Sequence, residues 1–242
     1  YTIGGWGAKY AGANPGTIRD DNWDAVYPTG MVIEGSAPQC KDITFTNPTA
    51  VEDYMPCGGR PRATNKSFTD PVCDKKGNQP QKNTFMSQVV GLRLNVDYSC
   101  AGVIGEPGEY CLGDLFITSG PFAGMTVFEF LEAAEDALLC GFFAEGLDAP
   151  DYNWTATAIN ENFDGCEDNN GFLDCNGDPG PGGECGLFVT KSAAPSEPAP
   201  LDRNGDGMGP DVYPGEDVTF TLNVETGDAD MSSVVLTDVL PS

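Results

Sequence analysis

The chain has 242 residues and carries 12 Lys+Arg against 37 Asp+Glu, a formal net charge of −25, a field that repels nucleic acid and anionic membrane surfaces. It contains no histidine, which removes Ser-His-Asp and Cys-His catalysis and imidazole-held metals. No apolar run approaches the roughly 18 residues that mark a membrane span, and the length suits two modest domains.

Residues 1–30 are rich in Gly, Asn, Asp and aromatics but show little periodicity. They read as ordered loops pinned by Trp6, Tyr10, Trp23 and Tyr27, which serve as core fillers before they serve as a sugar platform. Met31-Val32-Ile33 and Ile43-Thr44-Phe45-Thr46 predict two short strands. Asn47-Pro48 then opens a helix, with Asn47 as cap and Pro48 at its first position, ended by Pro56 and Gly58-Gly59. Residues 56–82 form a long loop that needs stapling or is mobile. A second helix is predicted over 83–96, where Met86, Val89, Val90 and Arg93 share a stripe, although Leu92, Leu94 and Val96 also alternate as in a strand. Residues 115–118 predict a strand. The clearest helix runs from Thr126 to Gly141, with Thr126 and Glu129 as a capping box and Gly141 placed to end it. A fourth covers 151–163, with Tyr152, Ala156, Ile159 and Phe163 on one face. Such amphipathic helices must pack on one another or on a small sheet. Cys175 to Gly186 is a linker by composition. These elements give domain boundaries of 1–185 and 186–242.

All nine cysteines lie between residues 40 and 185, without a C-x-x-C. That pattern suits disulfides in an oxidising compartment rather than a zinc or thioredoxin-type site. Loop geometry favours Cys100–Cys111 and Cys166–Cys175. Cys40, Cys57, Cys73, Cys140 and Cys185 have no pairing readable from sequence. The chain begins with Tyr1 rather than Met, as expected once a signal peptide has been removed.

Two stretches have the character of cation sites. In Asp202-Arg203-Asn204-Gly205-Asp206-Gly207, oxygen ligands fall at positions 1, 3 and 5, with Gly at 6, as in the first half of an EF-hand-type calcium loop. The Met208 carbonyl supplies position 7. Tyr213 stands where the bidentate Glu belongs, so Asp211 or Glu216 must replace it. A weaker second candidate joins Asp168, Asn170 and Asp174, brought together when Cys166–Cys175 closes. Ca²⁺ is the expected ion. Carboxylates abound, but no pattern singles out a glycosidase-type pair, and phosphate-binding loops are absent. A non-enzymatic protein is therefore expected.

Near the end, Leu187 to Lys191 predicts a strand. Val218, Phe220, Leu222 and Val224 alternate with polar residues after the Pro214-Gly215 turn, and Val234 to Leu240 is β-rich. Val189-Thr190-Lys191, Pro214 to Phe220 and Val234 to Pro241 resemble, in that order, the conserved-repeat β-sandwich domain of bacterial and archaeal cell-surface proteins. The resemblance implies an immunoglobulin-like spacer with no catalytic residues. It departs from the family in a long insert between the first two blocks and in the absence of the second half of the sandwich. Gly4-Gly5-Trp6-Gly7, Gly120 to Val127 and Ala158 to Phe163 are similar to a module of secreted bacterial surface proteins, which implies location more than activity.

The fold expected is a mainly helical, disulfide-stapled α+β domain followed by an all-β Ig-like sandwich incomplete within this chain. An Ig-like sandwich needs about seven strands and roughly 100 residues. The missing strands come either from sequence beyond Ser242 or from a neighbouring copy by strand donation, with Tyr1-Thr2-Ile3 as a possible donor. The function expected is a secreted structural subunit of an extracellular fibre or surface layer, its partners copies of itself in a head-to-tail polymer or other surface proteins. The alternative is an adhesin whose N-terminal domain binds a glycan or protein through its aromatic loops.

Overall fold

The structure is a computed structural model. It describes residues 1–73, 82–105, 111–163 and 169–175, together with the backbone of two strands at 187–195 and 218–226. The chain divides into two units, Tyr1–Gly183 and Glu184–Ser242.

The first unit is built around one helix. α4 (Thr84–Cys100) buries Phe85, Met86, Val89, Val90, Leu92, Leu94, Val96 and Tyr98, and with them Ser87, Gln88 and Asn95. A helix apolar on nearly every side belongs inside a protein. That also resolves the alternation of Leu92, Leu94 and Val96: with all faces covered, consecutive apolar residues suit a helix as well as a strand. α1 (Ile3–Trp6), α5 (Val127–Leu139) and α6 (Ala149–Glu161) pack directly on α4.

Residues 1–30 are not loops, as the sequence suggested, but two helices. α1 is capped by Thr2, whose hydroxyl accepts from Gly5 N. α2 (Pro15–Val26) is capped by Asn14, which accepts from Thr17 N at 2.9 Å, with Pro15 in its first turn. Asn14-Pro15 is the same signal as Asn47-Pro48, which caps α3 (Pro48–Tyr54). α2 escaped notice because its buried face is Gly16, Arg19 and Trp23, a stripe with only one large apolar residue. Trp6, Trp23 and Tyr27 are buried, whereas Tyr10 is 58% exposed. Trp6, Trp23 and Tyr27 are thus core, with Tyr10 the exception.

β1 (Met31–Glu34) and β2 (Asp42–Phe45) pair antiparallel, Met31 opposite Phe45. β3 (Phe68–Thr69) adds in parallel beside β2. β4 (Phe116–Ile117) pairs antiparallel with β5 (Leu173–Asp174). The remaining helices start and stop near where their caps place them. Thr126 and Glu129 form the expected capping box on α5, and Gly141 follows the cap with φ 73°. α6 begins earlier than the stripe suggested, because Asp148 caps it, its N–H donating to Asp151 Oδ2 at 2.8 Å, with Pro150 in the first turn between them.

Among the described residues three complete disulfides tie loops to this frame. Cys40–Cys140 joins the β1–β2 connection to the end of α5 across 100 residues, Cys57–Cys73 staples the long loop after α3, and Cys100–Cys111 closes the loop after α4. Only the last was readable from spacing. Constraining a 100-residue loop is worth roughly 4–5 kcal/mol in the chain-entropy account. Cys175 is also disulfide-bonded; its expected partner Cys166, like Cys185, lies outside the described residues. Three such bridges fit an oxidising compartment. Among the described residues no helix is long and apolar enough to cross a membrane.

Buried polar groups lock the helices in register. Asn95 Oδ1 accepts from Tyr1 N at 2.7 Å and from Trp6 Nε1 at 2.9 Å, while its Nδ2 donates to Tyr1 O and to Asn160 Oδ1. Asn160 on α6 donates in turn to Gln88 Oε1 at 2.8 Å. Tyr1 is thereby tied to α4, while Thr2 caps α1 and Ile3 begins it, so donation of Tyr1-Thr2-Ile3 as a strand would require breaking these bonds. Arg19, with no exposed surface, donates to the Trp6 carbonyl and, through Nε, to Asp20 Oδ1 at 2.8 Å. Its Nη2 lies 2.7 Å from Asp20 and 3.6 Å from Glu52 on α3, as a charge pair rather than an aligned hydrogen bond. Gly7 completes the joint, since a Cβ there would sit 2.2 Å from the Met55 carbonyl.

In the second unit, β6 (Leu187–Pro195) and β7 (Val218–Thr226) run antiparallel over nine residue pairs, from Leu187 opposite Thr226 to Pro195 opposite Val218. The expected third strand, Val234 to Leu240, lies outside the described residues.

Replacing Asn95 with Leu strands the Trp6 indole N–H and the Asn160 carbonyl in the core. At about 1–3 kcal/mol for each buried unsatisfied group, urea unfolding of Asn95→Leu is expected to show a loss of roughly 3 kcal/mol or more. A loss below about 1 kcal/mol would mean that the network does not hold the helices together.

Candidate functional site

A shallow, widely open cleft of about 580 Å³ lies where α2, β1 and α4 meet. One wall is the end of α2 and the turn into β1: Ala25, Val26, Tyr27, Thr29, Gly30 and Val32. The other is one face of the last turns of α4: Arg93, Asp97, Cys100 and Ala101. Local sequence explains both ends. Pro28 lacks the N–H that would continue α2, and Gly30, at φ 88°, turns the chain into β1. α4 stops at Ala101 and Gly102, the latter at φ 68°. Arg93 and Asp97 stand four residues apart, so both face the cleft.

The floor is a chain of charged and polar groups. Tyr27 donates its hydroxyl to Asp97 Oδ2 at 2.8 Å. Arg93 Nη1 lies 3.6 Å from Asp97 Oδ1. Behind it, Arg93 Nε donates to Glu135 Oε1 on α5 at 2.9 Å, and Nη2 donates to the same oxygen. Burial lifts the Glu135 carboxyl to about 7, against the lowering pull of Arg93. Burial also raises Asp97, again opposed by Arg93 and by the Tyr27 hydrogen bond. Tyr27 is held well above the ordinary phenol range by burial and by the neighbouring Asp97. For Arg93 burial acts downward, but Glu135 and Asp97 outweigh it and the guanidinium stays charged.

A carboxyl near neutrality is the usual mark of an acid–base group. Glu135, however, is 4% exposed and sits behind Arg93 rather than on the cleft wall. It sets the charge of the floor; Asp97 is the carboxylate a ligand would meet. Sequence reading placed Arg93 on the α4 stripe but missed its partners. The available signal was an Arg-x-x-x-Asp pair interrupting an otherwise apolar helix, which calls for a buried counter-charge.

The residues singled out as cation ligands lie elsewhere. Asp202, Asn204, Asp206, Met208, Asp211 and Asp168 are outside the described residues. Asn170 and Asp174 serve the turn into β5: Asn170 Oδ1 accepts from Phe172 N at 3.0 Å, and the buried Asp174 accepts from Cys175 N at 2.6 Å. A group that sequence reading did not find, Cys40, Asp136 and Cys140, brings its ligand atoms within 4.8 Å of one another. Its two sulfurs are bonded to each other, and Asp136 accepts from both the amide and the hydroxyl of Ser36. Those atoms are committed to holding the β1–β2 connection against α5.

No family model, curated protein or solved structure matches this chain.

The floor predicts a pH dependence of stability. The Glu135 carboxyl is near 7 when folded, against an ordinary 4.5, so between those values the folded protein keeps a proton that the unfolded chain has lost. Its contribution is full below about pH 4.5 and falls as pH rises through 7. Glu135→Gln has no proton to lose. Urea unfolding at pH 5 and pH 8 is therefore expected to show wild type losing stability relative to Glu135→Gln, by up to roughly 3 kcal/mol at about 1.4 kcal/mol per pH unit. Parallel behaviour of the two proteins would show that Glu135 is charged throughout.

Proposed function

We propose that this chain is a secreted, non-enzymatic structural protein, a subunit or segment of an extracellular fibre or surface layer. The observation that carries the reading is the β6–β7 pair. Its register sets Val189 and Lys191, from the first block of the surface-protein resemblance, opposite Val224 and Leu222, in the strand that the second block opens. In the family that they resemble, such blocks belong to one Ig-like sandwich. Two antiparallel strands are marginal alone, and the resemblance supplies the rest of the sandwich as further strands, from the same polypeptide or from a neighbour. A neighbour's strand makes a head-to-tail contact, and such contacts build filaments when they do not close. The disulfide-tied first unit suits exposure outside the cell, where a small domain gains from covalent constraint.

Calcium fits the same reading. As oxygen ligands of one ion, Asp202, Asn204 and Asp206, with Met208 and Asp211, would rigidify the insert between the two strands at extracellular calcium levels. A second reading, an adhesin or ligand-binding surface protein, is favoured by one observation, the cleft beside β1.

Electron microscopy of native material tests the main reading. Ordered polymers are expected; isolated single particles at every concentration would overturn it. For calcium, chelation should lower the melting temperature by mass action, and Asp206→Ala should remove most of that response. A melting curve indifferent to chelator contradicts the loop assignment.

A further inference from the structure

We propose that the cleft between α2, β1 and α4 binds an organic cation, an aliphatic primary ammonium group carried on a short methylene chain. The proposal rests on the cleft alone and holds whether or not the chain polymerises.

Electrostatics set the sign of the ligand. Two helices end at this cleft, and neither has a basic residue in its last turn. The α2 C-terminus presents open carbonyl oxygens equivalent to roughly half a negative charge, whereas at the α4 end Asp97, Tyr98 and Ser99 carbonyls accept from Ala101, Val103 and Gly102 N. Pro28 has no N–H to offer the Asp24 carbonyl. Among the described residues the carbonyls of Asp24, Ala25 and Val26 accept no backbone hydrogen bond beyond the helix. Asp97 adds a carboxylate 26% exposed. It accepts one hydrogen bond, from Tyr27, which orients it; Arg93 Nη1, at 3.6 Å, is too far for another. A carboxylate has room for several more. Among the described residues lining the cleft the one cation, Arg93, gives two of its nitrogens to Glu135. At pH 8, above the value near 7 at which Glu135 ionises, the floor carries one net negative charge; below it Arg93 and Asp97 balance, and the open end of α2 is what favours a cation.

The walls choose among cations. Val26, Val32, Ala25, Ala101 and the Tyr27 ring offer apolar surface, against which a methylene stem gains and a hydrated metal ion does not. Ca²⁺ takes six to eight oxygens, and this cleft presents one carboxylate. The same ammonium chemistry occurs in a free diamine and in a lysine side chain of another polypeptide.

The test is titration of the full chain, followed by NMR or calorimetry, with two ammonium probes: 1,5-diaminopentane and Nα-acetyl-lysine-N-methylamide. Hexanoate and calcium chloride are the controls. Saturable binding of the ammonium probes is expected, with shifts at Val32, Asp97 and Ala101. Tighter binding of the diamine identifies a free polyamine as ligand, and tighter binding of the lysine derivative a polypeptide side chain. Asp97→Asn, which keeps the Tyr27 hydrogen bond, should weaken binding tenfold or more. Val32→Lys places an ammonium in the cleft from a position 44% exposed on an edge strand; it should fold normally and abolish binding. No saturable binding at millimolar probe, equal binding of hexanoate, calcium shifting the same residues at equal concentration, or undiminished binding by folded Val32→Lys would each overturn the proposal.

Discussion

Burial of α4 is the constraint on which the first unit depends. Its apolar residues face outward on nearly every side, so it is stable only if other elements enclose it. α1, α5 and α6 do so. The polar residues it carries inward then decide how they are enclosed. Asn95 fixes α1 through Trp6 and α6 through Asn160, while Ser87 Oγ receives Cys57 N at 3.0 Å and so anchors the disulfide-stapled loop. Apolar contact alone would let these helices slide; each hydrogen bond has one register, and leaving it unmade in the core is costly.

The cleft follows from the same arrangement. α4 is buried along most of its length, yet Arg93 and Asp97 are each about one quarter exposed. At that end the enclosure gives way, and charge appears where the apolar face stops. Glu135 lets Arg93 stay in so enclosed a position, since an unpaired guanidinium there would be costly. The site is in this sense the edge of the core, with its charges set by what the core can tolerate. The proposed surface role and the proposed ligand cleft are compatible: a disulfide-tied body can serve as a spacer and still present a binding face.

Much of the local structure was legible. Asn47-Pro48, Thr126 with Glu129, and Gly141 each announce a helix end by chemistry acting within a few residues, and each appears where expected. α2 was not legible, because its inward face uses a buried arginine where apolar residues normally give the signal. Cys100–Cys111 was readable because the two lie only eleven positions apart; Cys40–Cys140 was not, because its partners meet only after α5 has packed near the β1–β2 connection. The cleft was the least legible of all. Tyr27, Arg93 and Glu135 come from three elements far apart in sequence, and only packing on α4 brings them together.

If burial of α4 organises the unit, its amides should be released only when the whole unit unfolds. Native-state hydrogen exchange of the disulfide-intact chain, resolved by peptide, measures this directly. The account predicts that peptides from α4 exchange more slowly than any others and with the free energy of global unfolding, while α2, α3 and the sheet edges open earlier. Exchange of α4 ahead of α5 or α6 would contradict it and place the organising element elsewhere.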